Sequence, residues 1–500
     1  MRPSTYSEYL DAEKHVRQGL PYRILFLRDF TVEPLLPVIR VECSRMGMDA
    51  QITVSGYTPM IDATKWEYET PFDCVLVARW NRSAGNIIEA IRAHTDAPII
   101  VDSEDARGFP NAYTVWYMSD SGRSFNSAEW SLSQMPYTSQ TAIRTARDYC
   151  GIIRALVGKT KKCLVIDADY TLWDGILGED GVDKIAPYQE FQEDLVALKN
   201  RGVLLALCTK NNPADIQEVF EKRDMPLKAE HLVIIKANWN PKPDNIRQIA
   251  QDLNIGLDSL VFVDDSQFEC DLVGESLPEV DVLKAHGDSA DWKSMWRGLF
   301  DAISRSDEDT HRTEMYRADL QRKEIRATSI TPEDYLKSLK MTVTIGRATE
   351  AEMSRVAQLT QKTNQFNLTT TRRTEDDIRQ MVNDGCYDVF YLKLEDRVSD
   401  LGLVGVAIVC YEGKTVTITD FLLSCRALGR KVEDVLLSHV MDESIKRGCD
   451  DIVGLYTPSA KNGQVANFYR DHYFFETARG GWASIYHSLK RPAYIRVKIV

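Results

Sequence analysis

Residues 161–181 read KKCLVIDADYTLWDGILGEDG. A short apolar run, Cys163 to Ile166, stops at two aspartates set one residue apart, Asp167 and Asp169. An apolar run of that length without polar alternation predicts a strand buried on both faces, and such strands belong to parallel sheets covered by helices. Two carboxylates brought together at its end repel each other unless a cation holds both ionised or their roles divide. The stretch therefore points to an α/β fold and to chemistry at the strand's carboxyl edge.

The pattern continues outward. After a helix, YQEFQEDLVALKNRG, come strand VLLALCT, helix NPADIQEVFEKRD, strand HLVIIKA, helix KPDNIRQIAQDLN and strand SLVFVDD. Apolar strands alternating with amphipathic helices predict a doubly wound parallel sheet over residues 159–303. Ligands of such sheets bind at the carboxyl ends of the strands, and here those ends carry Asp167, Thr209 and Asp264/Asp265. Upstream, YRILFLRDF (22–30), FDCVLVARW and APIIVDSED read as strands and PLLPVIRVECSRMG as a helix, giving a smaller α/β domain over 1–158. Downstream, the charged stretch 304–330 reads as a solvated helical connector. Residues 331–500 mix helices with strands YDVFYLKLED, LGLVGVAIVCYEG, TVTITDFLLS and DDIVGLYTP, an α+β domain on a mostly antiparallel sheet.

Composition narrows the function class. The 500 residues are 44% hydrophobic and 27% charged, ordinary for a globular protein of several domains. A formal net charge of -13 without a basic block argues against a nucleic-acid backbone as partner. The 10 cysteines are scattered singly, with no CxxC, which predicts reduced thiols rather than a disulfide or zinc framework. No apolar run approaches the ~18 residues of a membrane span, and the N-terminus lacks the apolar core of a signal peptide, so the expected location is the cytoplasm.

Two carboxylates and a threonine on a strand-to-loop turn suit attack on phosphate. One aspartate acts as nucleophile, and the other protonates the leaving oxygen and then activates water. Mg²⁺ takes oxygen ligands and bridges carboxylates to phosphate, so an acid from the VFVDDS turn is a natural further ligand. Thr209, the Lys210–Asn211 backbone and Lys242 are placed to donate to the remaining phosphate oxygens.

DADYT (167–171), LCTKNN (207–212), KPDN (242–245) and VFVDDS (261–266) resemble the four ordered motifs of the haloacid dehalogenase (HAD) superfamily of phosphatases. TLWDGILGEDG, LCTKNNPAD, NWNPKPDNI, QLTQKTNQFNLTTTR (358–372) and FLLSCRALGRKVED (421–434) are similar, more narrowly, to the FkbH-like proteins, which load glyceryl units onto acyl carrier proteins in polyketide assembly. The resemblance implies Asp167 as phosphoryl-accepting nucleophile and Asp169 as acid/base. It makes Thr209 and Lys242 phosphate binders and Asp167, Asp169 (by its main-chain carbonyl) and Asp264 the Mg²⁺ ligands, with Asp265 supporting. It also implies 1,3-bisphosphoglycerate as substrate and the phosphopantetheine thiol of a carrier protein as acceptor. DADYT departs from the commoner DLDNT by placing Tyr170 where a small polar residue usually sits. The first segment resembles, more weakly, an SGNH-hydrolase-like region. It offers Thr31 instead of a serine and no DxxH near 130–150, so it is expected to be non-catalytic.

The last segment resembles an acetyltransferase-type (GNAT) fold, whose pyrophosphate loop R-x-x-G-x-G precedes a helix. Arg426, Gly429 and Arg430 fit that pattern, and Lys431 replaces the final glycine. Cys425, beside Arg426 and just before a helix, has two open readings: a small half-buried strand cysteine, or a thiolate nucleophile for an acyl phosphate. Asn364, Gln365 and Asn367 likewise read either as lining for a substrate or carrier arm or as turn and capping residues. Cys208, Cys410, His439 and His472 read as packed. The remaining alternatives for the chain are a plain phosphomonoesterase and a carrier-docking module without turnover.

Overall fold

The computed structural model describes residues 2–16, 19–59, 62–63, 71–79, 84–101, 106, 109–115, 138–285, 295–302, 311–363, 365–459, 462–477, 481–484 and 489–500, with the side chains of Lys362 and Cys425 outside the description. Two compact units result, Met1–Arg317 and Ala318–Val500. The fold class is the one the sequence predicts: a doubly wound parallel sheet, preceded by a smaller α/β sheet and followed by an α+β domain on a mostly antiparallel sheet.

The first unit holds both parallel sheets. In the smaller, strands run in the order Met48–Val54, Leu20–Arg28, Cys74–Ala78, Ile99–Val101, Ala112–Thr114. Alternation along Leu20–Arg28 assigns its two faces: Ile24 and Phe26 pack with helices Leu36–Arg45 and Ser139–Leu156, while Leu25 and Leu27 pack with Gly85–Arg92. In the larger sheet the order is Leu232–Ala237, Leu204–Thr209, Cys163–Ile166, Leu260–Asp264, Asp281–Lys284, all parallel. The chain steps outward twice from Cys163–Ile166 and then returns to its other side. That reversal opens the crevice where such sheets bind ligands. Asp167 N donates to Val263 O at 3.0 Å there, so Asp167 and Asp264 emerge from adjacent strand ends.

Charged pairs distant in sequence tie this unit together. Glu42, fully buried, accepts from Arg2 Nε at 2.7 Å and Tyr9 Oη at 2.6 Å, with Arg154 Nη2 at 3.5 Å. Asp281 receives Arg45 and, at 2.9 Å, Lys161 Nζ, and Arg297 grips Asp148 through two bonds of 2.5 and 2.8 Å.

In the second unit, strands Thr342–Arg347, Tyr387–Glu395, Asp400–Glu412 and Thr415–Leu423 pair antiparallel in sequence order. Helix Val432–Lys446 then crosses to Asp451–Gly454, which pairs parallel to Thr415–Leu423. Val435, Leu436 and Val440 of that helix cover one face with Phe421 and Leu423, and Val356 and Ile378 cover the other with Ile408 and Leu422. Helix Arg312–Thr328 differs from the expected solvated connector. Its Arg322 is buried, because Nε and Nη2 clasp Asp396 at 2.8 and 3.0 Å. No described helix is long and apolar enough to cross a membrane.

The Glu42 cluster predicts a pH-dependent stability. Burial alone would push its carboxyl up, but attraction to Arg2 overcomes this and holds it at about 2, below the ordinary 4.5. A depressed carboxylate stabilises the fold above its unfolded pKa and loses that contribution as pH falls towards the folded value. Thermal denaturation should therefore show Glu42→Gln less stable than wild type at pH 7, by about 3–5 kcal/mol. The gap between the two proteins should narrow between pH 4.5 and 2.

Candidate active site

Three strand ends and one helix start supply the site. Asp167 and Asp169 follow Cys163–Ile166, Thr209 ends Leu204–Thr209 with Lys210 and Asn211 just beyond it, and Asp264 ends Leu260–Asp264. Lys242 opens helix Lys242–Leu253 after Leu232–Ala237. Lys242 Nζ sits 2.8 Å from Asp167 Oδ1 and 2.5 Å from Asp264 Oδ2, and all three groups are buried. Asn211 Nδ2 lies 2.9 Å from Asp169 Oδ2 and 3.0 Å from Thr209 Oγ1, joining the second strand end to the first.

The charges do not balance. Burial pushes the Asp167 carboxyl up; Lys242 opposes this and Asp264 adds to it, leaving the group at about 6. Asp264 and Asp265 are also raised, first by burial. Burial pulls the Lys242 ammonium down, and Asp167 and Asp264 more than reverse it. One ammonium thus faces two buried carboxylates, with Asp265 close by. Asp167, Asp264 and Asp265 each offer an oxygen within 4.8 Å of the others, a hard-oxygen donor set suited to a divalent cation such as Mg²⁺.

Several determinants escaped the sequence reading. Trp173, fully buried, donates from Nε1 to Asp169 Oδ1 at 3.0 Å, and Leu177 N donates to the same oxygen at 3.0 Å. With Asn211 on the other oxygen, three donors orient the Asp169 carboxylate. Asn238 and Asn245 exchange side-chain amide bonds of 3.2 and 2.9 Å, closing the turn that carries Lys242, and Asn238 N donates to Thr209 O at 3.1 Å. The signal was present in NWNPKPDN, whose first and last residues, Asn238 and Asn245, stand on either side of the lysine. Lys210 directs its ammonium to Glu269 Oε1 at 2.6 Å, so its side chain is tied to helix Gln267–Ser276, which follows Leu260–Asp264. Tyr170 takes a left-handed φ of 50° and is exposed at the mouth of the turn.

The second unit disperses the other candidates. Cys425 and Arg426 lie in the short turn Cys425–Ala427, directly after strand Thr415–Leu423, the Cys425 side chain being outside the described part. Gly429 has φ 71° and Lys431 φ 64°, just before helix Val432–Lys446. Arg430 turns inward and donates to Asp396 Oδ2 at 2.8 Å. Asn364 lies outside the described residues and Gln365 is exposed. Asn367 is buried and plays the turn role, its Oδ1 accepting from Thr370 N at 2.8 Å. His439 packs edge-on against Phe390, and His472 stacks on Phe468 while bonding Asp434 Oδ1 at 3.0 Å. Cys208 is core, and Cys410 is partly exposed. In the first unit, Thr31 Oγ1 approaches Tyr57 Oη at 3.3 Å.

No family model matches the chain, and no curated protein matches it. Among solved structures, the N-terminal part of a Bacteroides fragilis protein containing a phosphatase domain complexed with Mg is 24% identical, over 60% of this chain and 100% of that one, at a TM-score of 0.49. The ribosomal-protein-S18-alanine N-acetyltransferase of Escherichia coli is 16% identical, over 30% of this chain and 97% of that one, at a TM-score of 0.23. A HAD family enzyme of Bacteroides thetaiotaomicron, complexed with magnesium and inorganic phosphate, is 15% identical over 27% of this chain and 100% of that one, also at 0.23. Likenesses of this extent assign no activity.

The shared ammonium gives a direct test. Lys242→Met leaves Asp167 and Asp264 buried without their cation and should cost about 3–5 kcal/mol in thermal denaturation. Millimolar Mg²⁺ should restore more stability to the variant than to wild type, because a divalent cation can replace the missing charge. Equal responses would deny that the carboxylates share one cation position.

Proposed function

We propose that the chain is a Mg²⁺-dependent phosphohydrolase coupled to acyl transfer, acting on the three-carbon acyl phosphate 1,3-bisphosphoglycerate and loading glyceryl onto an acyl carrier protein. The observation that carries the phosphoryl half is the single ammonium of Lys242 bridging Asp167 and Asp264, with Asn211 joining Thr209 to Asp169 beside them. An Asp167 oxygen attacks phosphorus, the bond to the leaving oxygen breaks, and Asp169 supplies its proton. Water then attacks the aspartyl-phosphate, Asp169 takes the water's proton, and the phosphorus–Asp167 bond breaks. Lys242 and the Thr209 and Asn211 donors hold the phosphate oxygens in line. Asp167, Asp264, Asp265 and the Asp169 carbonyl would hold Mg²⁺, which when bound offsets phosphate charge.

The acyl half falls to the second unit. Cys425 sulfur attacks the carbonyl carbon of the acyl phosphate, the carbon–oxygen bond to phosphate breaks, and phosphate leaves with the electron pair. The carrier's pantetheine thiol then displaces Cys425 by thioester exchange. One observation favours the simpler phosphomonoesterase reading. Arg430 is committed to Asp396, and Glu433 and Asp434 occupy the first turn of the helix, where they disfavour an anion.

Intact-mass spectrometry decides between them. Wild type incubated with 1,3-bisphosphoglycerate should gain a glyceryl adduct that Cys425→Ala abolishes and carrier protein discharges. Asp167→Asn should lower phosphate release by about 10³-fold or more. Release without any adduct would leave the phosphomonoesterase, and undiminished release in Asp167→Asn would sink the mechanism.

A further inference from the structure

The two carboxylate oxygens of Asp169 have different neighbours. Oδ1 accepts from Trp173 Nε1 and from Leu177 N, each at 3.0 Å, both in the turn that follows Asp169 itself. Oδ2 accepts from Asn211 Nδ2 at 2.9 Å, which reaches it from beyond the Thr209 strand end. A carboxylate oxygen carries two lone pairs, so Oδ1 is filled while Oδ2 keeps one. Only Oδ2 can therefore take and release a proton without breaking a bond to the chain.

The turn is built to keep Oδ1 occupied. Trp173 is fully buried and packs in the core of the larger sheet with Leu172, Ile185 and Phe191. Its strand, Trp173–Asp174, pairs antiparallel with Ala186–Pro187, and Tyr188 N and Gln192 Nε2 donate to Leu172 O at 3.0 and 2.8 Å. Gly175, at φ 107°, turns the chain: a Cβ there would meet Asp180 Oδ2 at 3.0 Å, the oxygen that accepts from Ile176 N at 2.9 Å. The next N–H along, that of Leu177, is the one that reaches Asp169. A phenylalanine at 173 would also fill the core with a ring. What the indole adds is a buried N–H, a group that needs an acceptor, and that acceptor is the proposed acid.

We propose that Trp173 is a positioning residue for proton transfer by Asp169: with Leu177 N it occupies Oδ1 and leaves Oδ2, the oxygen bonded to Asn211, as the atom that works. In the first step the phosphorus–oxygen bond of the ester breaks, the leaving oxygen keeps the electron pair, and the proton on Oδ2 passes to it. In the second, Oδ2 takes a proton from the water that attacks the aspartyl-phosphate, which restores the acid. Without the indole N–H, Oδ1 regains a lone pair, and the carboxyl is free to turn or to carry its proton on the wrong oxygen. The inference rests on the proposed phosphohydrolase reading and adds which atom of Asp169 acts and what holds it in place.

The test gives the full chain, with Mg²⁺, two substrates. One is an alkyl ester, 3-phosphoglycerate, whose alkoxide must be protonated as it leaves; the other is an aryl ester, p-nitrophenyl phosphate, whose phenolate leaves unassisted. Departure of the leaving group is the last step that kcat/KM reports, so the later attack by water does not enter it. Trp173→Phe should lower the alkyl-to-aryl ratio of kcat/KM by about tenfold or more, since a misplaced acid forfeits part of the roughly 10²–10⁴-fold that proton transfer contributes. Benzothienylalanine at position 173 keeps the bicyclic ring and lacks only the N–H. It should lower the ratio likewise, and it carries the test should Trp173→Phe fail to fold. Loss of packing alone slows both substrates equally, so an unchanged ratio in the two variants would overturn the inference. Failure of wild type to release phosphate from either ester would instead remove the phosphohydrolase reading on which it rests.

Discussion

The contact of Lys242 Nζ with Asp167 and Asp264, at 2.8 and 2.5 Å, is the interaction on which the larger sheet's edge depends. The two carboxylates come from strands far apart in sequence that the reversal of strand order sets side by side. Both are buried, so each would be forced neutral without a cation. Lys242 can reach them because it opens a helix on the turn that the Asn238–Asn245 amide pair closes, a turn itself bonded to the end of Leu204–Thr209. Topology, turn chemistry and electrostatics therefore converge on one ammonium. Its single charge leaves the cluster still negative, which makes the site receptive to a divalent cation.

An analogous anchor organises the second unit. Asp396, fully shielded, takes Arg322 and Arg430 together, and its Oδ1 also accepts from Val398 N and Ser399 N at 2.9 and 3.1 Å. A buried carboxylate of this kind is tolerable only when each lone pair is answered. The consequence reaches the loop before helix Val432–Lys446. Arg430, which a sequence pattern would assign to phosphate, has its guanidinium turned to the interior, and the loop presents exposed Lys431 in the left-handed region instead.

What the sequence disclosed follows from range. Strands such as Cys163–Ile166 and Leu260–Asp264 were legible because an uninterrupted apolar run admits few other roles, and the order of Asp167, Thr209, Lys242 and Asp264 followed once those runs were placed. Period and composition say nothing of partners distant along the chain. Glu42 sits in a helix where acidic residues are commonplace, and only Arg2, Tyr9 and Arg154 explain its burial. Nothing in TLWDG distinguishes Trp173 from a core aromatic, and only the folded chain brings its indole nitrogen to Asp169. Arg322 lies in the most charged stretch of the chain and reads as solvated, since Asp396 is 74 residues away.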